Sequence, residues 1–302
     1  MIITQGLTKH FNGKVAVEDL TLEVREGEVF GFLGPNGAGK TTTVRMLCCL
    51  IAPTAGTAWV NGYQIGKEDS AIRASVGILT EAPGLYERLS AEKNLSIYAR
   101  LYGVRDVAGQ VEKYLRLLGL WGERKQAVAE FSKGMKQKLA IARALVHEPR
   151  VLFLDEPTAA LDPEAARVVR DFIEELKGQG RTIFLCTHNL DEADRLCDRI
   201  AVFKQRLIQV DTPQNLRQQL YGRKVAIRLR AIMPALVARI QALPFVQDVH
   251  IQDGQIVVAL DDPDNQNPQI VRALVEAGAD VQYVGELRHS LEEVYFKLIG
   301  EA

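Results

Sequence analysis

No stretch of the chain approaches 18 consecutive apolar residues, so nothing in it reads as a membrane span. Positive charge is not in excess: the formal net charge is -1, without the basic field that nucleic-acid binding usually needs, and no nucleic-acid partner is expected. Cysteine is sparse. Cys48, Cys49, Cys186 and Cys197 form no C-x-x-C pair and two lie in apolar segments, which points to reduced buried thiols of a cytosolic protein. The opening Met1-Ile2-Ile3-Thr4-Gln5-Gly6 has no charged leader before a long apolar core, so no signal peptide is expected. What remains is an ordinary globular composition, 47% hydrophobic and 25% charged, in 302 residues. That length suffices for a full-sized core plus a smaller second unit. Any action at a membrane would require a partner to do the crossing.

The most informative stretch is Gly34-Pro35-Asn36-Gly37-Ala38-Gly39-Lys40-Thr41. It follows the apolar run Val29 to Leu33 and precedes a helix-patterned segment, Thr42 to Leu50. This is the G-x-x-x-x-G-K-[ST] phosphate loop in its strand–loop–helix context. Glycines let backbone N–H groups approach a phosphate chain at a helix N-terminus that already favours anions. Lys40 has the reach for the β- and γ-phosphates, and the Thr41 hydroxyl suits Mg²⁺. Gly34, Pro35, Asn36, Gly37, Ala38, Gly39, Lys40, Thr41 and Thr42 are therefore candidate nucleotide-binding residues. A Gly-rich turn bearing a lysine by chance is the competing reading, at roughly one in a hundred for a chain of this size.

The rest of the pattern is α/β. Met1 to Thr4, Val17 to Val24, Gly56 to Val60 and Val76 to Leu79 read as strands. Between about residues 90 and 147 the period becomes helical, with Ser90 and Ser132 as candidate caps. Strands resume at Val151 to Leu154 and Thr182 to Cys186, separated by a helix with Asp162 as N-cap, Pro163 at its first position and Gly178 just past its end. The expected fold is a P-loop NTPase: a parallel sheet core with an antiparallel β subdomain and a helical insert. The nucleotide-binding domain is placed at 1–219. Residues 220–302 read as a small α+β domain of order βαββαβ, with a hairpin across Asp253-Gly254, a loop over 261–268 and a last helix from Ser290. It holds eight Lys/Arg against eleven Asp/Glu between Arg223 and Ala302, too acidic for an RNA binder.

Val151 to Leu154 ends in Asp155-Glu156. At the C-terminal end of a parallel strand these carboxylates face the ligand crevice. There Asp155 suits Mg²⁺ and Glu156 suits the activation of a water. An exposed acidic strand end is the plainer alternative, and the phosphate loop weighs against it.

With these motifs in place, residues 1 to about 215 resemble the nucleotide-binding subunit of an ATP-binding cassette transporter, of the export-type, ABC-2-like branch. Phe131-Ser132-Lys133-Gly134-Met135, 23 residues before Asp155, stands where that family has Leu-Ser-Gly-Gly-Gln and matches at Ser132 and Gly134. The resemblance implies that Ser132 and Gly134 contact the γ-phosphate of an ATP held by the opposite subunit. It also implies that His188 is the switch histidine on the γ-phosphate, that Asp162 spans the dimer interface, and that Phe11 stacks on adenine. His188 as a structural strand-end residue and Phe11 as a core residue are the alternatives, while Asp162 can be helix cap and interface residue together. The family usually has glutamine where this chain has Glu81; a carboxylate there also suits Mg²⁺ but adds negative charge beside the triphosphate.

The implied function is ATP hydrolysis with Mg²⁺ by a homodimer or heterodimer. That dimer would drive a separate transmembrane permease from the inner face of the cell membrane, for export, with the segment Ala82 to Ser90 as the contact. Glu156, His188 and Lys40 are the candidate catalytic residues; Thr41, Glu81 and Asp155 are the candidate metal ligands. A soluble regulatory or translation-associated ATPase of the same superfamily and a non-hydrolysing nucleotide sensor are the alternatives. One phosphate loop, no sustained heptads and intact Lys40, Asp155, Glu156 and His188 argue against them.

Overall fold

A strand such as Val29–Leu33 has no polar side chain to turn outward and is stable only with both faces covered. In the computed structural model, which describes residues 1–80, 84–159, 161–287 and 289–301, all five of its residues are buried. The chain divides into two compact units, Met1–Thr212 with a tail segment beginning at Leu298, and Pro213–Lys297.

The first unit opens with β1 (Ile2–Phe11), β2 (Lys14–Val24), β3 (Val29–Leu33), α1 (Lys40–Leu47), β4 (Ala55–Val60), β5 (Tyr63–Gln64), α2 (Asp69–Ser75) and β6 (Val76–Leu79). The helices α3 (Ala91–Leu101), α4 (Val107–Leu117) and α5 (Lys133–Leu145) follow. It continues with β7 (Val151–Asp155), α6 (Pro163–Gly178), β8 (Thr182–Thr187), α7 (Leu190–Leu196), β9 (Arg199–Lys204) and β10 (Arg206–Asp211). One sheet is antiparallel, in the order β2-β1-β4-β5. The other has the order β10-β9-β3-β8-β7-β6, parallel from β9 to β6 with β10 as an antiparallel edge.

Strand β1 runs well past Thr4, where the sequence pattern ends. Register shifts between Thr4 and Leu7, Leu7 and Lys9, and Lys9 and His10 break the period of two that makes a strand legible. It then turns on Asn12-Gly13, both with positive φ (47° and 80°), as tight hairpins require. Helix α1 begins at Lys40, inside the phosphate motif, and closes at Cys48 rather than Leu50. All four cysteines are free thiols, with Cys49 half-buried and the others buried.

The helical insert is a three-helix layer. Leu95 and Ala99 of α3, Val111 and Leu115 of α4, and Leu139, Ala142 and Leu145 of α5 are buried, one apolar stripe from each helix. Ser90 caps α3 through the Lys93 amide, and the buried Asn94 takes the Tyr86 amide on its Oδ1 at 2.8 Å while donating to the Tyr86 and Ser90 carbonyls. Those bonds fix residues 86–90 against the start of α3.

Helix α6 includes Gly178. The left-handed residue that ends it is Gly180, φ 76°. The Gly180 amide returns to the Lys177 carbonyl and the Arg181 amide to the Leu176 carbonyl, which is the Schellman arrangement.

The second unit contains α8 (Pro213–Tyr221), β11 (Lys224–Leu229), α9 (Pro234–Gln241), β12 (Asp248–Gln252), β13 (Gln255–Ala259), α10 (Pro263–Glu276) and β14 (Val281–Glu286), and α11 (Leu291–Glu301) starts within it. Its sheet is wholly antiparallel in the order β12-β13-β11-β14, the split βαβ arrangement. Val225, Ile227, Leu236, Ile240, Ile256, Val258, Ile270 and Leu274 form its core. The run expected as a loop over 261–268 is largely the first turns of α10. Asp262 caps it through the Asn265 amide and Pro263 takes its first position, where a missing N–H costs nothing; only Pro268 interrupts the bonding inside.

Candidate functional site

Three adjacent strands of the parallel sheet, β3, β8 and β7, end side by side. Leu33 pairs in register with Thr187, and Asp155 with Cys186. The segments leaving those ends carry the phosphate loop, Thr187-His188 and Asp155-Glu156. This shared edge builds the site, because side chains more than a hundred residues apart in sequence need only the sheet register to meet.

The loop after β3 is pinned by close backbone approaches. A Cβ on Gly34 would lie 2.2 Å from the Phe203 carbonyl oxygen. Gly39, at φ 103°, would place one 2.1 Å from the Ala16 carbonyl oxygen. Neither position admits a larger residue without moving backbone. Gly39 has no side chain to cap α1, so the first amides of that helix point outward unclaimed by a cap. Lys40 is buried and folds back over its loop, its Nζ donating to the Gly34 carbonyl at 2.6 Å and the Pro35 carbonyl at 3.3 Å. Pro35, Asn36 and Gly37 form the exposed crest, Ala38 is buried beneath it, and Thr42 is half-buried in the first turn of α1.

Opposite the loop, the Thr41 hydroxyl donates to Asp155 Oδ2 at 2.7 Å; Asp155 is 3% exposed. Glu156 leaves the sheet with φ 51°, a left-handed conformation costing about 1–2 kcal/mol for a residue with a side chain. Its amide bonds the Cys186 carbonyl at 2.9 Å, which holds the turn. The carboxylate is gripped on both oxygens. His188 Nδ1 is 2.8 Å from Oε1, and the Thr187 hydroxyl is 3.4 Å from Oε2. The His188 side chain is 60% exposed, open to a ligand as no core histidine would be. The adjoining Cys186 thiol is pushed far up by burial, and further by Asp155, so it stays a neutral packing group.

Ser132, Gly134 and Asp162 form a second group, at the starts of α5 and α6. Ser132 accepts from the Met135 amide and Asp162 from the Ala165 amide at 2.8 Å, so both are helix caps. Gly134 lies against α6: a Cβ there would sit 3.3 Å from the Ala165 methyl. The amide of Gln137 on α5 donates to the Pro157 carbonyl at 2.8 Å, tying this helix to the turn that carries Glu156. Phe11 is 46% exposed with Lys9 Nζ 5.0 Å from its ring centroid, which excludes the core alternative. Glu81, Ala82 and Pro83 lie outside the described residues.

Sequence reasoning missed Thr187 as a contact of Glu156, Glu192 behind it, and Gln137. Glu192 stands at the third position of α7, just past Thr187-His188, and its burial appears only in the fold.

The donor set fits a hard divalent cation: Thr41 and Asp155 bring oxygens within 2.7 Å of each other, the ligand chemistry of Mg²⁺.

Residues 17–159 match the family described as "ABC transporter", and residues 212–299 match "ATP-binding protein DrrA1-3-like, C-terminal domain". The chain is 36% identical to the daunorubicin resistance ATP-binding protein DrrA3 of Streptomyces coeruleorubidus, over 99% of this chain and 96% of that protein. It is also 36% identical to the bacitracin transport ATP-binding protein BcrA of Bacillus licheniformis, over 99% and 97%. A solved ATP-binding subunit of an ABC transporter superposes with a TM-score of 0.67 at 32% identity, covering 73% of this chain and 93% of the other. A dimeric ATP-binding cassette bound to ADP and Pi in a post-hydrolysis state has the same fold, with a TM-score of 0.65 at 23% identity over 70% of this chain and 98% of its own.

Proposed function

The chain belongs to the ATP-binding proteins of ABC transporters, and on that footing we propose that it is the ATP-hydrolysing motor of an exporter whose permease is a separate membrane protein. The observation that carries this is the common edge of β3, β8 and β7, which sets Lys40 and Thr41, Asp155 and Glu156, and His188 around one crevice. The uncapped start of α1, with its oriented amides and Lys40, would hold the triphosphate and offset its charge. To reach the β- and γ-phosphates, Lys40 exchanges the Gly34 and Pro35 carbonyls for phosphate oxygens.

Thr41 and Asp155, with Glu81, would hold Mg²⁺, which neutralises charge along the phosphates. Glu156 accepts the proton of the attacking water, its carboxylate kept in one orientation by His188 and Thr187.

The second group completes the site in trans. In this reading the start of α5, with Ser132 and Gly134, covers the ATP bound by another subunit, and Asp162 lies at that interface. A dimer of nucleotide-bound cassettes is known for the post-hydrolysis structure, whose fold this chain shares. A relative named for Nod factor export supports the transport direction. Among the described residues no helix is long and apolar enough to cross a membrane. In this reading the permease is met on the inner face of the membrane by the segment before α3; that Asn94 holds residues 86–90 while Tyr86 is half exposed supports it.

Mixing two inactive variants tests the shared site. Ser132→Ala and Lys40→Ala chains each lack one half of every site, but a mixed dimer rebuilds one intact site from Lys40 of the first and Ser132 of the second. Recovery of ATP turnover on equimolar mixing, to about a quarter of wild type if the chains pair at random and the sites act independently, supports the reading. Failure to recover, with both variants folded, rejects it.

A further inference from the structure

Glu192 is the most deeply buried carboxylate that the mechanism above does not use. It lies on α7, 2% exposed, with its Oε2 3.1 Å from the Thr187 hydroxyl oxygen. Its other oxygen, Oε1, is buried without a hydrogen bond among the described residues. Thr187 is fully buried and stands between two carboxylates: Glu192 on one side, and Glu156 Oε2 at 3.4 Å on the other. It also accepts the Asn189 amide at 3.0 Å.

A hydroxyl has one proton to donate and two lone pairs. If both glutamates are ionised, they compete for that one proton, and the nearer, Glu192, takes it. Glu156 Oε2 then loses its donor. If Glu192 is the neutral acid, the competition at Thr187 is resolved: Glu192 Oε2 donates to Thr187, the Asn189 amide fills the second lone pair, and the Thr187 proton is free for Glu156.

We propose that Glu192 is a positioning residue for hydrolysis, which as the neutral acid turns the Thr187 hydroxyl onto Glu156 Oε2 and so fixes the orientation of the base. The surroundings act in that direction. Burial raises the Glu192 carboxyl from its ordinary value of 4.5, and the charge of Glu156 adds to the rise. The Thr158 and Thr187 hydroxyls and the Arg170 charge on α6 oppose the rise without cancelling it. The Cys197 thiol after α7, another titratable neighbour, is itself pushed far up by burial and stays neutral. The inference rests on the reading of Glu156 as the base.

The test is steady-state ATP turnover of the full-length chain with Mg²⁺ across pH, for wild type, Glu192→Gln, Glu192→Leu and Glu156→Gln. The amide of Glu192→Gln keeps a donor facing Thr187, so its kcat stays within about twofold of wild type at neutral pH. Wild type loses activity as rising pH removes the Glu192 proton, and Glu192→Gln lacks that alkaline limb. Glu192→Leu loses about tenfold or more in kcat with KM for ATP unchanged. Three outcomes overturn the proposal: Glu192→Gln as impaired as Glu192→Leu, an alkaline limb identical in wild type and Glu192→Gln, or Glu192→Leu with wild-type kcat. If Glu192→Leu does not fold, wild type against Glu192→Gln decides alone. Glu156→Gln separates the two levels. If it hydrolyses as fast as wild type, the base assignment fails; if it is inactive while the Glu192 variants are indifferent, only the positioning role fails.

Discussion

The Thr41 hydroxyl and the Asp155 carboxylate meet at 2.7 Å, joining the first turn of α1 to the last residue of β7. The substitution Asp155→Asn keeps an acceptor oxygen for Thr41 but removes the charge a divalent cation needs. Turnover is expected to fall at least about tenfold, with the half-maximal Mg²⁺ concentration shifted upward. ATPase rates over a Mg²⁺ titration at fixed ATP check this. An unaltered Mg²⁺ dependence removes Asp155 from the metal site.

Ser132 is assigned two roles, and they can be pulled apart. As a cap it bonds the Met135 amide, and Ser132→Ala is expected to destabilise the fold by about 1 kcal/mol. Aspartate caps as well as serine, so Ser132→Asp should unfold like wild type in urea. It also puts a negative charge where a neighbouring chain's γ-phosphate is to be covered, and turnover should fall at least about tenfold. Wild-type turnover in Ser132→Asp leaves the cap as the whole role.

At position 81 the expectation comes from sequence alone. Glu81→Gln removes a negative charge from a position that the family resemblance makes a candidate metal ligand, and is expected to keep or raise hydrolysis. A loss of more than about tenfold, roughly 1.4 kcal/mol of barrier, rejects it.

A pH effect on stability is expected at the far end of the sheet from the site. Burial pushes the Glu148 carboxyl up, but hydrogen bonds from Lys113, Arg181 and Tyr114 outweigh it and hold the group below its ordinary value of 4.5. A depressed folded-state value means the stabilisation is complete above the unfolded value and disappears as pH falls through the folded one. Wild type should therefore exceed Glu148→Gln in unfolding free energy at neutral pH, the gap closing as the medium is acidified below 4.5. Denaturant unfolding at several pH values measures it, and a gap that widens on acidification contradicts the assignment.

The sequence displayed the parts of the site whose chemistry is local. The phosphate loop, the carboxylates ending an apolar strand, and the caps Ser90, Ser132 and Asp162 each carry their reason within a few residues. Other features depend on register. Nothing in Thr187 or Glu192 announces that they will be buried behind Glu156, because that follows from β8 lying between β3 and β7. Local chemistry misleads where two signals compete, as with Gly178 and Gly180 at the end of α6, or the polar run that begins α10.

The left-handed turn at Glu156 has a consequence for engineering. Backbone of that shape suits glycine or asparagine better than glutamate, so the fold would shed strain by giving up the glutamate. A screen for heat resistance alone should therefore enrich inert chains at this position, and only a screen that also demands work from the enzyme would hold it in place.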